Sequence, residues 1–311
     1  MLVPQIERER ANPLGAYLQA RRGLLTPQQA GVSVNGVRRV PGLRREELAM
    51  LAGISADYYL RLERGKDRNP SARVLDALGH ALQLDNDHMT HLKSLASDAP
   101  RPPADPPQEE IPVSVLNLIG ALDQPAFIED EYFNILASNP SAQALNPHLS
   151  PGRNQMRDLF LDESERALHP DWEMAAACLT ASLRHTIGNN TDDPHFLQLI
   201  NDLSRESSYF RHLWARHDVR AQRGANVTLT HPQFGERAFT REQLRINGTE
   251  RIKVVVYYAR EGNDSRAAGS SIDPKGAAEH ASIGTTITAS ASRPAADPEE
   301  PITASHPRST T

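Results

Sequence analysis

Residues 44–65, RREELAMLAGISADYYLRLERG, constrain this chain most tightly, because their small and apolar residues are spaced for two short helices crossing at a glycine-centred turn. Leu48, Leu51 and Ala52 share one side of the first helix, and Ala49 stands four residues before Gly53, an offset that lets two helices approach closely. Gly53 can take the left-handed backbone that ends a helix, and Ile54 closes the apolar seam behind it. Ser55 offers a capping hydroxyl to the second helix, whose Tyr59 and Leu62 turn toward the first. Ala56, Asp57, Leu60, Arg61 and Arg64 are left pointing outward. Short side chains at the front of that helix, with arginines behind them, suit the base edges and phosphates of a DNA duplex. A plain helical hairpin with a solvated basic face explains less well why the Ala-Gly offset, the Ser cap and the Glu63-x-Gly65 stop fall in one register.

Charge supports the DNA-reading pattern. Residues 21–73 hold eleven Lys/Arg against five Asp/Glu, whereas the chain of 311 residues carries a formal charge of −5. A basic stripe on an acidic protein is the footprint of phosphate binding. The predicted DNA-facing residues are Arg38 and Arg39 in the loop GVSVNGVRRVPG, Arg44 and Arg45 where the first helix starts, and Ser55, Ala56, Asp57, Tyr58, Arg61 and Arg64 on the second helix. Residues 99–311 carry a balance of −8, which argues against a second DNA contact there.

A chain of this length, 39% hydrophobic, can bury more than one core. Asn12-Pro13 starts a helix with Leu14, Tyr17 and Leu18 on its stripe, while Asn69-Pro70-Ser71 and Asp85 start two more, giving an all-α helix-turn-helix bundle over residues 1–98. Residues 99–112 are rich in proline and acids and read as a linker. A helix VSVLNLIGAL then precedes two strand-like runs in AFIEDEYFNILAS, helices near 139–146, 153–168, 170–188 and 194–217, and the β-rich stretches NVTLTHPQFGERAFTREQLRI and RIKVVVYYARE. That order predicts an α+β domain on one antiparallel sheet over residues 113–261. Residues 262–311, mostly Ala, Ser, Thr, Pro and Gly, predict a disordered tail.

Several function classes lose support. No apolar run is long enough to span a bilayer and MLVPQIERERANP lacks a signal-peptide core, so a soluble, cytoplasmic chain with no membrane partner is expected. The single cysteine, Cys178, reads as a small buried hydrophobe. Twelve histidines show neither His-x3-His nor Cys-x2-Cys spacing, so no metal is expected. No Gly-x-Ser-x-Gly, P-loop or dinucleotide fingerprint is present, and neither an enzyme nor a cofactor is expected.

Taken together, ARRGLLTPQQAG, RRVPGLRREELAMLAGISADYYLRLERGKDRNPS and VLDALGHALQL resemble the xenobiotic-response-element (XRE) family of helix-turn-helix regulators, in the MmyB-like form found in bacteria. PAFIEDEYFNILASNPSA, GRNQMRDLF, HPDWE, FRHLWARHDVR and HPQFG are similar to the ligand-binding domain of that subfamily, a PAS-like fold. The resemblance covers about residues 14–260. It implies a lambda-repressor-like DNA-binding bundle and a C-terminal domain that senses a fatty-acid-like or other amphiphilic ligand. The usual Ala-Trp-Asn after the second strand is here Ala137-Ser138-Asn139, which removes an aromatic wall, and the long tail falls outside the family pattern.

A candidate ligand site follows from polar residues unusually close to apolar ones. Arg153, Arg216 and His217 would converge on the sheet to hold an acidic head, with Asn139 and Asn154 beside them and Phe127, Phe133, Leu136, Trp172 and Trp214 as the apolar wall. Each residue also has a purely structural reading, such as a cap on a helix end. A DNA-tethered protein-interaction module without a small-molecule ligand is the alternative function. It fits less well because the aromatic residues fall in predicted core elements. Few base-reading side chains on one helix also predict a homodimer on an inverted-repeat operator in double-stranded DNA.

Overall fold

The computed structural model describes residues 4–33, 38, 40–97, 109–188, 190–221, 224–249 and 251–259. Most of the predicted linker, the predicted tail and Arg39 lie outside the described residues. Helices α1 (Pro4–Ala11), α2 (Pro13–Leu24), α3 (Arg45–Leu51), α4 (Ala56–Glu63), α5 (Ala72–Ala81) and α6 (Asn86–Leu95) come first. The expected caps set their starts: Asn12 accepts from the Gly15 N–H, Ser55 from Tyr58, Ser71 from Val74 and Asp85 from His88. Gly53 lies between α3 and α4 at φ +64°, so the left-handed turn is real. Tyr17, Leu18, Leu48, Tyr59, Leu62, Leu78 and Leu92 form the bundle's core. One seam position differs from expectation. Leu51 is 39% exposed, while Leu48, Ala49 and Ala52 are buried. The buried stripe is centred on Ala52, and Leu51 falls about a quarter turn off it.

The second part builds on a five-stranded antiparallel sheet of order β2-β1-β5-β4-β3. Its strands are β1 (Ala126–Asp130), β2 (Ile135–Ser138), β3 (Ala225–His231), β4 (Gly235–Arg245) and β5 (Ile252–Ala259). One face presents Phe127, Ile135, Leu229, Phe239, Val255 and Tyr257 to a short helix α8 (Pro140–Leu145) and the turn behind it. The other face packs Ala126, Ile128, Ile252 and Val254 against Ile119 of α7 (Val113–Ala121). The α+β expectation therefore holds, and the all-α bundle precedes it as predicted.

Two predicted helices are each broken in two. The run near 153–168 becomes α9 (Gln155–Leu161) and α10 (Glu163–Leu168), because Asp162 Oδ1 accepts from the Ser164 N–H at 2.9 Å and starts a new helix. The run near 194–217 becomes α12 (Pro194–Glu206) and α13 (Ser208–Ala215), with Ser207 Oγ capping the Phe210 N–H at 3.1 Å. Short polar side chains compete with the helical ladder, and here they win. Helix α11 (Trp172–Ile187) runs unbroken beside them.

Helix α1 was not foreseen. Its sequence PQIERERA has one large apolar residue, Ile6, too little for a periodic signal. Ile6 is 3% exposed and joins Leu183, Phe210 and Trp214 in the helical core of the second part. Tertiary packing rather than propensity holds this helix. Among the described residues no helix is long and apolar enough to cross a membrane, and no group of His, Cys, Asp or Glu is arranged to hold a metal ion.

Candidate DNA-binding face and ligand cavity

On the bundle, α4 presents Asp57, Arg61 and Arg64 to solvent, and Arg44 and Arg45 are exposed at the start of α3. Ala56 and Tyr58 are half-buried, and Ser55 is exposed while its hydroxyl caps the helix. Part of this basic face is internally tethered. Arg61 donates to Asp57 at 2.7 Å and packs 5.3 Å from the Tyr58 ring, while Arg22 and Arg45 both hold the buried Glu63 carboxylate. An i,i+4 pair on an exposed helix face is weak, so Arg61 can exchange Asp57 for a phosphate or a base at little cost.

Arg38 behaves differently from the expectation of a phosphate contact. Both its Nη atoms donate to the Glu47 carboxylate at 2.7 Å, and one also reaches the Gly42 carbonyl at 3.0 Å, so it latches the loop onto α3. The same carboxylate accepts from the Arg44 N–H, which starts the helix. The hydrogen bond from Arg38 brings the Glu47 carboxyl down to about 2. A depressed carboxyl contributes stability above its ordinary range and loses it as pH falls toward the folded value. Thermal melts of the bundle followed by circular dichroism from pH 5 to pH 2 are therefore expected to show a smaller acid-induced loss in Arg38→Met than in wild type. Parallel curves would contradict the latch.

The expected ligand residues do not converge. Arg153 binds Asp158 at 2.8 Å and Asp162 at 3.4 Å, Arg216 binds Asp218 at 2.7 Å, and His217 is buried beside Tyr17 of α2. These are three separate networks. Asn139 is consumed structurally: its Oδ1 accepts from Ala126 and Ala142, and its Nδ2 reaches the carbonyls of Ile119, Leu122 and Gln124. Asn154 caps α9 through the Arg157 N–H at 3.0 Å and donates to the Tyr132 carbonyl at 2.9 Å. Phe127 is sheet core, and Phe133 sits at φ +67° in the turn after β1 with Lys253 5.2 Å from its ring. The Trp172 ring lies tilted against Tyr209 at 4.9 Å, while Trp214 donates to Glu9 of α1 at 3.0 Å under the Arg184 guanidinium.

A cavity of about 610 Å³ opens elsewhere, between the inner face of β3–β5 and helices α9, α10 and α11. That size suits a small organic ligand. Leu149, Leu159, Leu179, Met174, Val227 and Leu229 give it an apolar wall, and none of the ten residues expected from sequence lines it. Its polar end is formed by Gln155, Arg241, Gln243 and Tyr257. Behind that end Glu129, 0% exposed, accepts from Arg241 at 3.1 Å, pairs with Lys253 at 3.3 Å and accepts from the Gln155 amide. Burial opposes the Arg241 charge, yet Glu129 outweighs it and the pKa rises; burial leaves Lys253 below the ordinary lysine value despite Glu129. Arg241 and Lys253 thus meet at the Glu129 carboxylate, and Asp130 also favours the Lys253 charge. At another point on the wall, Glu165 is already satisfied by Asn146 at 3.0 Å and His169 at 3.0 Å.

Sequence did carry a signal for Arg241. Phe239, Arg241 and Gln243 alternate along β4, so an arginine and an amide share the face of a buried phenylalanine.

Residues 111–270 match the MmyB-like transcription regulator ligand binding domain, and residues 13–92 match a helix-turn-helix domain. No curated protein matches the chain. Among solved structures, an RNA-binding light-oxygen-voltage receptor is similar at 12% identity and a TM-score of 0.22, over 81% of this chain and 62% of that one, a likeness too loose to bear on fold or function. With a helix-turn-helix bundle ahead of a cavity-bearing antiparallel domain, and that one family matched over more than half its length, the chain belongs to the MmyB-like transcription regulators.

Proposed function

We propose that this DNA-binding regulator senses an amphiphilic acid, whose apolar part fills the cavity and whose acidic head meets Arg241, Gln243 and Tyr257. The carrying observation is the pairing of an apolar wall with a polar end where Arg241, an arginine buried on a strand, lines the cavity beside Gln243 and Tyr257. A carboxylate placed there accepts charge-assisted hydrogen bonds from Arg241 and neutral ones from Gln243 and Tyr257. A fatty-acid-like ligand fits this chemistry. Arg241, Gln155 and Lys253 bind Glu129 as an ion-pair cluster rather than freeing it as a base, which supports binding without turnover. A docking module would need its apolar residues outside, whereas Leu149, Leu159 and Leu229 are buried. On DNA, in the cytoplasm, the chain would act as a homodimer on an inverted repeat, with Arg61 of α4 and Arg64 at its C-terminal end in the major groove and Arg44 and Arg45 on the backbone.

Native mass spectrometry of the purified chain tests this reading. It is expected to show a bound amphiphilic acid that is released on denaturation, and an emptied chain that takes up dodecanoate in preference to dodecanol. A chain that carries no adduct and takes up neither would contradict it.

A further inference from the structure

The cavity is not enclosed by the C-terminal part alone. Asp87 of α6, in the DNA-binding bundle, lines it together with Arg220 and Ala221. The Ala221 N–H donates to Asp87 Oδ2 at 3.0 Å. Residues 216–221 leave α13 through His217, a non-glycine residue at φ +53°, a left-handed conformation that costs energy and persists only where surrounding packing enforces it. The packing here is explicit. Val219, 3% exposed, inserts into the bundle's core with Tyr17, Leu18 and Leu92, and Asp218 pairs with Arg21 of α2 at 2.6 Å. On its other side the segment is tied to the cavity: the Arg220 N–H donates to the Ala181 carbonyl of α11 at 3.2 Å, and its Nη1 lies 3.1 Å from Cys178 Sγ on the cavity wall. Six residues therefore touch two helices of the DNA-binding bundle, one helix of the second part and the cavity.

We infer that the ligand site is a composite of both parts, and that residues 216–221 are the element through which its occupancy reaches the DNA-binding bundle. A ligand long enough to reach Arg220 and Ala221 competes with them for space. Their displacement draws Val219 from the bundle's core and breaks the contact to Asp87, which loosens α6. The strained His217 biases the segment toward release once its packing is lost. This inference rests on the cavity holding a ligand, and its test separates the two.

Hydrogen exchange of the full chain, read by mass spectrometry over residues 86–95 and 216–221, is the measurement. Two probes are used: dodecanoate, and N-ethylmaleimide on Cys178, the only cysteine of the chain, which occupies the cavity whatever its natural ligand. Either probe is expected to speed exchange in both segments about tenfold, equivalent to about 1.4 kcal/mol of local stability. In Val219→Ala, exchange over α6 should already be fast and respond less than about twofold to either probe. Asp87→Ala, which leaves the core untouched, should also blunt the response, so the test survives poor folding of the valine variant. A probe shown by mass to be bound, with exchange over residues 86–95 unchanged, overturns the composite site and leaves the cavity reading standing. If neither probe loads the cavity, both readings fall.

Discussion

Glu129→Gln is expected to lower the unfolding free energy of the C-terminal part by about 3–5 kcal/mol, because it removes the shared counter-charge of two buried cations. Glu129 is fully buried, and the Arg241 and Lys253 side chains beside it are 11% and 14% exposed. The substitution preserves shape but leaves Arg241 and Lys253 facing each other across an amide. Arg241→Met should cost less, about 1–3 kcal/mol, since Lys253 still pairs with Glu129 and the loss is of the Arg241 hydrogen bonds to Glu129 and Tyr257 rather than of a counter-charge. Urea denaturation followed by tryptophan fluorescence measures both, with Trp172 and Trp214 reporting on the helical core. Equal losses for the two variants would show that Glu129 is not the hub of this cluster.

The same arginine carries the second large effect. Arg241→Met should weaken binding of dodecanoate roughly 10- to 100-fold, the value of one charge-assisted hydrogen bond of about 1.5–3 kcal/mol, while dodecanol binding stays within about threefold. Arg153→Met and Arg216→Met should leave both affinities unchanged, because their guanidiniums are held by Asp158 and Asp218 away from the cavity. Isothermal titration of acid and alcohol into the three variants reads this directly. Parallel losses for acid and alcohol in Arg241→Met would place the head group elsewhere.

These assignments show how far local sequence carries. The helix-turn-helix was legible because its determinants lie within about twenty residues: the Ala49-Gly53 offset, the Ser55 cap and the outward arginines. The sheet was legible through alternation and the turn before Gly235. Helix α1 was not, since one isoleucine in eight residues gives no period and its partners on α11 and α13 lie as far as 175 and 205 residues away. The breaks at Asp162 and Ser207 were hidden because a capping side chain and a solvent-facing one look alike in sequence. The residues expected to clamp a ligand lie apart for a related reason. Arg216 stands beside Trp214 in sequence and Arg153 in a run of polar and apolar residues, but each has a carboxylate within five residues, and that local pair is the one it makes. A buried charge is better sought where a strand's apolar alternation is interrupted, as at Arg241, than where charged and aromatic residues crowd along the chain.

The central claim is that occupancy of the cavity changes DNA affinity. Selecting bound duplexes from a random pool with the full chain supplies an operator, and fluorescence anisotropy then gives its affinity with and without saturating dodecanoate. A shift of about 5- to 150-fold is expected in wild type, corresponding to a coupling free energy of about 1–3 kcal/mol, with Arg241→Met unresponsive at the same dodecanoate concentration. Identical operator affinity in the presence and absence of dodecanoate, with the acid shown to be bound, would contradict the account.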